Sequence, residues 1–300
     1  MVYVEERNVG KATYYYLVKN IREGTRAWRK KRKYCGTRKP STNDIEEFSA
    51  QQEYVLTNYL SIEQQRAIEK IKKGYGAYVE RLTEQDFIKF EDATITSFTY
   101  NTNAIEGSTL SLNETGIILQ EKITPSGKEL REVYGALNMK DAFYYAKKMS
   151  DITEKNIKKL HSIVLRNILE VELGEYRTVP VRILGSMVRP PLPIDVEKEM
   201  KKLITWYENN KHIHPFELAC ILHIKFEKIH PFRDGNGRVG RLLMNYILIK
   251  NKLPLLDIKV VRKFEYYKTL EKAQTRKKYK DFIHYCFSAY KEDATILDWL

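Results

Sequence analysis

At 300 residues and 43% hydrophobic, the chain is long enough to bury a substantial core, and its apolar content argues against global disorder. No apolar run reaches the roughly 18 residues of a membrane span, and the first residues, MVYVEERN, lack the basic-then-apolar layout of a secretion signal. Three cysteines at wide spacings (Cys35, Cys220, Cys286) argue against a disulfide framework and a structural zinc site, and suggest a reduced, cytoplasmic protein.

The chain opens on its most basic stretch. Residues 1–40 hold 12 Lys/Arg against 3 Glu, so nine of the thirteen net positive charges fall there. ATYYYLVK at 12–19 and RAWRKKRKYC at 26–35 flank a Glu23-Gly24 turn signal and read as a small basic β-ribbon. Tyrosine and tryptophan interleaved with lysine and arginine over residues 11–40 make nucleic acid a candidate partner. GTRKPSTND (36–44) reads as a linker. The expected division is 1–44 for ribbon and linker, 45–110 for N-terminal helices, and 111–300 for a larger helical core. A capping box, Ser111 with Glu114, starts a helix. TVPVRILGSMVRPPLP (178–193), with alternation, Gly185 and several prolines, reads as a hairpin and an extended return. Asp195 is placed to cap a helix whose apolar face is Val196, Met200, Leu203 and Tyr207. Pro215 suits the first turn of a helix running to about Ile229, apolar nearly all round and therefore buried.

HPFRDGNGRVGR, His230 to Arg241, interrupts two apolar helical segments. Glycines at a helix start leave consecutive backbone N–H groups free to bind an anion, aided by the helix dipole. Arg238 and Arg241 are three apart and share a face, within reach of phosphate oxygens. Asp234 is a hard oxygen ligand for Mg²⁺, and His230 is a base suited to neutral pH. A dinucleotide fingerprint is excluded, because a long helix and not a strand precedes the glycines. No phosphate-binding P-loop occurs, since Gly127-Lys128 is followed by Glu129. His161 and His223, on apolar helical faces, read as core histidines.

HPFRDGNGR resembles the Fic-family signature H-P-F-x-[D/E]-G-N-[G/K]-R at every position, with Arg241 at the family's second arginine. Lys159-Leu160-His161, Gly174-Glu-Tyr-Arg177, Pro190-Pro191 and Tyr266-Tyr267-Lys-Thr-Leu270 stand in family-like order across roughly residues 90–290. The resemblance implies a mainly α fold, a Fic-type helical bundle with a β-hairpin flap, and AMP transfer from ATP·Mg²⁺ to a protein hydroxyl. It implies that His230 is the base and Asp234 the Mg²⁺ ligand. Gly235, Asn236, Gly237 and Arg238 would cradle the α- and β-phosphates, continuing through Val239 and Gly240 to Arg241 at the γ-phosphate. Val181, Arg182, Ile183 and Leu184 would dock the target by strand addition, and Tyr266 and Gln274 would line the adenine side. Thr102-Asn-Ala-Ile-Glu106-Gly107 is similar to the family's inhibitory pattern [S/T]-x-x-x-E-[G/N], which casts Glu106 as the residue that pairs with Arg241 and keeps it from the γ-phosphate. Expected partners are ATP and a protein carrying a Tyr, Ser or Thr hydroxyl, including the chain itself, with a homodimer as a candidate state. Removal of AMP from a modified protein and ATP sensing by a nucleic-acid-associated regulator are the alternative functions.

Overall fold

The computed structural model describes residues 2–10, 12–23, 27–50, 59–168, 173–183 and 185–294. The chain divides into two compact units, residues 1–56 with 209–214 and residues 57–208 with 215–300.

In the first unit, β1 (Val2–Val9), β2 (Ala12–Glu23) and β3 (Ala27–Tyr34) form an antiparallel sheet in that order. The ribbon is therefore three-stranded. Strand β1 escapes sequence reading because its second half, EERN, is polar, as suits a sheet edge. Its register sets Arg7 opposite Tyr14 and Glu5 opposite Tyr16, and Tyr16 faces Tyr34 across β2 and β3. Helix α1 (Thr42–Ala50) packs on β1 and β2 and begins inside the expected linker. Asp44 accepts hydrogen bonds from the Ser41 N–H and hydroxyl and from Arg38, which fixes that start.

The second unit is helical. Ser61 with Gln64 caps α2 (Ile62–Arg81), and Thr83 caps α3 (Glu84–Ile105). Ser111 with Glu114 caps α4 (Leu112–Glu121), as the sequence predicts. Helix α5 (Leu130–Lys148) follows, then α6 (Glu154–Val164), capped by Thr153. Helix α7 (Pro193–Asn209) starts two residues before Asp195. Proline supplies its first turn, and the buried face is the expected Val196, Met200, Leu203 and Tyr207. Helices α8 (Pro215–Ile229) and α9 (Asn236–Lys250) are buried on nearly every side. They pack on each other, α9 also meets α3, α5 and α6, and α8 meets α10 (Lys263–Arg276) and α11 (Tyr279–Ala294). The turn from 230 to 235 is thus held between the two most buried helices.

The reversal expected at 178–193 is present as a turn, without paired strands among its described residues. Gly185 takes φ +73° and the Ser186 N–H donates to the Ile183 carbonyl. Pro180, Pro190 and Pro191 carry no N–H for a ladder, which accounts for the missing strand pairing.

Candidate active site

Helix α8 ends at His230, whose φ of +49° is the left-handed conformation usually taken by glycine past a helix end. Its N–H closes on the Phe226 carbonyl at 3.0 Å, and Pro231 prevents further helix. The turn is pinned from beneath. Asn236 grips Phe232, accepting from its N–H and donating to its carbonyl, both at 2.9 Å. The His161 ring stacks on Phe232 with centroids 3.8 Å apart. Its Nδ1 accepts from the Gly174 N–H at 2.9 Å, so Nε2 carries the proton and donates to the Asp234 carbonyl at 3.2 Å. Burial holds this imidazole neutral, pushing its pKa down to about 4. His161 is a core histidine, and it shapes the loop. Gly235 takes φ +74°, and a side chain there would press on Leu165.

The first backbone bond of α9 runs from the Val239 N–H to the Gly235 carbonyl. The N–H groups of Asn236, Gly237 and Arg238 therefore have no acceptor within the helix. The carboxylate of Glu106 lies over this helix start: a Cβ on Gly237 would come within 2.3 Å of its Oε1. Arg241 is 1% exposed. Its Nε donates to the Thr102 hydroxyl (2.6 Å), and its Nη2 to the Thr102 carbonyl (3.1 Å) and to Glu106 Oε1 (2.6 Å). Burial opposes that charge, but Glu106 together with Tyr266 and Tyr267 offsets it and holds the guanidinium pKa above its usual value. Glu106 stands at the C-terminal end of α3, where the helix dipole disfavours a carboxylate. Arg241 and the α9 N-terminus supply the compensating positive charge. Tyr267 steadies the same turn, donating its hydroxyl to the Ile105 carbonyl at 3.2 Å.

His230 keeps Nδ1 on the buried side, 3.8 Å from Glu227 Oε2, while its side chain is one-fifth exposed. The exposed edge of the ring is therefore the one away from Nδ1. Burial pushes its pKa down to about 4, so the imidazole is unprotonated at neutral pH. Asp234 is half exposed. One oxygen takes the Gly235 N–H at 2.6 Å, and the other stands 3.5 Å from Arg238. That second oxygen suits Mg²⁺, which takes one or two carboxylates together with phosphate oxygens.

Beneath the cradle, His223, Glu227 and His230 follow one face of α8. Burial pushes the His223 pKa down to about 3 and the Glu227 pKa up to about 8, so both are neutral at pH 7. They press on α9 at Gly240, where a Cβ would fall 2.5 Å from Glu227 Oε1 and 2.9 Å from His223 Nδ1. Gly240→Ala is expected to destabilise the protein by about 1–3 kcal/mol, the usual cost of overpacking. The check is chemical denaturation, with an unchanged midpoint as the contrary result.

The structure brings Thr102, Glu106, Gly237, Arg238 and Arg241 together, with His230 and Asp234 on the adjoining turn. The two residues expected on the adenine side are buried in this structure. Tyr266 is 1% exposed, hydrogen-bonded to His223 and Arg241, and Gln274 is 5% exposed, bonded to the Ile224 carbonyl. Both lie on the buried face of α10, which packs on α8. The exposed aromatic beside Glu106 is Tyr267, at 43%, and only the i, i+1 ambiguity of Tyr266-Tyr267 hid it. Val181, Arg182 and Ile183 lie on the extended segment with side chains partly or fully exposed, and Leu184 lies outside the described residues. Sequence reading passed over Glu227, which stands between Phe226 and Lys228, and noted Arg177 only within Gly174-Glu-Tyr-Arg177, without a role.

Helix-start amides without an acceptor in their own helix, two buried arginines and a neutral histidine thus meet around one turn of a helical bundle. Residues 151–248 match the Fic/DOC family. Protein adenylyltransferase Fic from Nematostella vectensis is 36% identical over 181 residues, 58% of this chain and 42% of that protein. Protein adenylyltransferase fic-1 from Caenorhabditis elegans is 35% identical over 184 residues, 59% of this chain and 36% of that protein. The chain thus spans about two-fifths of the length of the curated relatives it matches. Among solved structures, a Fic domain containing signaling protein from Bacteroides thetaiotaomicron superposes with TM-score 0.70 at 25% identity, covering 77% of this chain and 95% of that one. Fic-1 from C. elegans gives 0.69 at 26% identity, covering 86% and 74%. The chain carries a Fic domain of the Fic/DOC family.

Proposed function

We propose that this protein is an autoinhibited adenylyltransferase that moves AMP from ATP to a Tyr, Ser or Thr hydroxyl of a protein and releases pyrophosphate. The observation that carries the reading is the Glu106 carboxylate lying against Gly237 and paired with Arg241, an anion seated where a phosphate would bind. The N–H groups of Asn236, Gly237 and Arg238 and the guanidinium of Arg238 hold the α- and β-phosphates. Arg241 takes the γ-phosphate once Glu106 withdraws. His230 removes the proton of the target hydroxyl as its oxygen attacks the α-phosphorus and the bond to pyrophosphate breaks. Asp234 would hold Mg²⁺, which neutralises phosphate charge when bound. The extended segment at 181–183 is open for strand addition by the target. Tyr267 replaces Tyr266 as the aromatic at the nucleotide side. The three cysteines are free, as suits the reducing cytoplasm, and among the described residues no helix is long and apolar enough to cross a membrane.

The test is mass spectrometry of a cell lysate after incubation with the Glu106→Gly protein and ATP·Mg²⁺. AMP adducts on hydroxyl side chains, absent with His230→Ala, are expected. Loss of AMP from premodified proteins would instead favour AMP removal.

One face of the N-terminal sheet favours a second activity. Tyr14, Tyr16 and Tyr34 cluster there, with ring centroids 5.3–6.1 Å apart, and Arg7 lies 5.4 Å above Tyr16. Such a platform suits stacked bases of a single strand. Substituting both Tyr16 and Tyr34 by alanine is expected to weaken binding of a labelled single-stranded oligonucleotide by roughly 10-fold or more, and added salt should weaken it steeply. Salt-insensitive binding equal in both proteins would remove the assignment.

A further inference from the structure

Arg177 is 2% exposed, and no carboxylate among the described residues pairs with it. Its side-chain acceptors are all main-chain carbonyls. Nε donates to the His230 carbonyl at 2.8 Å, and Nη2 to those of Pro191 (2.6 Å) and Ile229 (3.4 Å). Nη1 donates to the Val179 carbonyl at 3.2 Å. The Arg177 N–H itself reaches the Pro231 carbonyl at 2.9 Å.

These contacts fall into two groups. Ile229, His230 and Pro231 are the exit of α8, where carbonyls lack helical partners and the dipole is negative, so a cation is favoured. His230 occupies the left-handed region there, a conformation that costs a non-glycine residue about 1–2 kcal/mol and persists only when its surroundings fix it. The guanidinium holds the carbonyl of that very residue. Val179 and Pro191 are the two ends of the extended segment on which the target strand is expected to dock. One planar fork therefore joins both ends of the docking segment to the backbone of the base. A flexible ammonium could not span these carbonyls in fixed geometry.

We propose that Arg177 is a positioning residue that sets the backbone of His230 and couples it to the docking segment, so that a seated target finds the imidazole in register. The inference rests on the adenylyl-transfer reading for its kinetic consequence, but its geometry stands apart from it. The hydrogen bonds of Arg177 among the described residues reach none of residues 235–241, so ATP binding should not depend on them.

The experiment compares Arg177→Lys and Arg177→Gln in the Glu106→Gly protein, with the ATP dependence of labelled AMP transfer measured for each. The expected result is kcat lower by about 10-fold or more with KM for ATP unchanged. The second readout needs no activity: NMR titration of the His230 imidazole. The groups acting on that ring are Arg177, which lowers its pKa, and Glu227, Glu106 and Asp234, which raise it. Removing the cation in Arg177→Gln should therefore move the His230 titration to higher pH. Folded variants with unchanged kcat and an unmoved titration overturn the proposal. Loss of fold in both variants overturns it too, since Arg177 would then be a fold residue only. If Glu106→Gly itself transfers no AMP, the transfer reading fails, and the titration alone decides on Arg177.

Discussion

Glu106→Gly raises labelled AMP incorporation by roughly 10- to 100-fold over the unsubstituted protein. A charge-assisted hydrogen bond contributes about 1.5–3 kcal/mol, and about 1.4 kcal/mol corresponds to a factor of ten. The 2.6 Å contact between Arg241 and Glu106 is such a bond, and the same carboxylate fills the space above Gly237. ATP must displace both interactions before its γ-phosphate meets Arg241, so their removal lowers the free energy of productive binding. Thr102 still holds the Arg241 side chain through Nε and Nη2 in the variant, so the arginine stays in place. Equal incorporation by the two proteins would remove the inhibitory role of Glu106.

His230→Ala, made in the Glu106→Gly background, lowers transfer by roughly 10²- to 10⁴-fold, the usual share of a general base. The ring is unprotonated at neutral pH because burial has pushed its pKa down to about 4. A depressed pKa means that the base is available well into mildly acidic solution. Activity per unit of kcat/KM should hold from neutral pH down to about 5 and fall as pH drops through about 4. A plateau ending near pH 6.5, the ordinary histidine value, would mean that the imidazole is not desolvated in the working enzyme. Persistent transfer by the alanine variant would assign the base elsewhere.

The parts of this protein that could be read from sequence are those governed by local rules. The Ser111–Glu114 capping box, Pro215 at the start of α8 and the buried face of α7 depend on side chains a turn apart. The meeting of Glu106 and Arg241, 135 residues apart, was legible only because each stood in a motif. Where neither local period nor motif applied, the sequence misled or was silent. Adjacent tyrosines on α10 differ by about 100° around the helix axis, and nothing in the sequence said which faced inward. The segment at 178–193 has the alternation of a strand, yet pairing needs a partner and free N–H groups, and its prolines withhold them. Arg177 acts on carbonyls, which every residue possesses, so its acceptors leave no trace in residue identity.

The burial of Arg241 has a consequence for the protein at rest. Losing the partner of a buried ion pair costs about 3–5 kcal/mol. Among the described residues the carboxylate paired with Arg241 is that of Glu106. On the proposed reading the silenced form is thus also the sturdier one. Relief of inhibition would then leave a bundle that depends on its own substrate for stability, and Glu106 would protect the fold for as long as it withheld the chemistry.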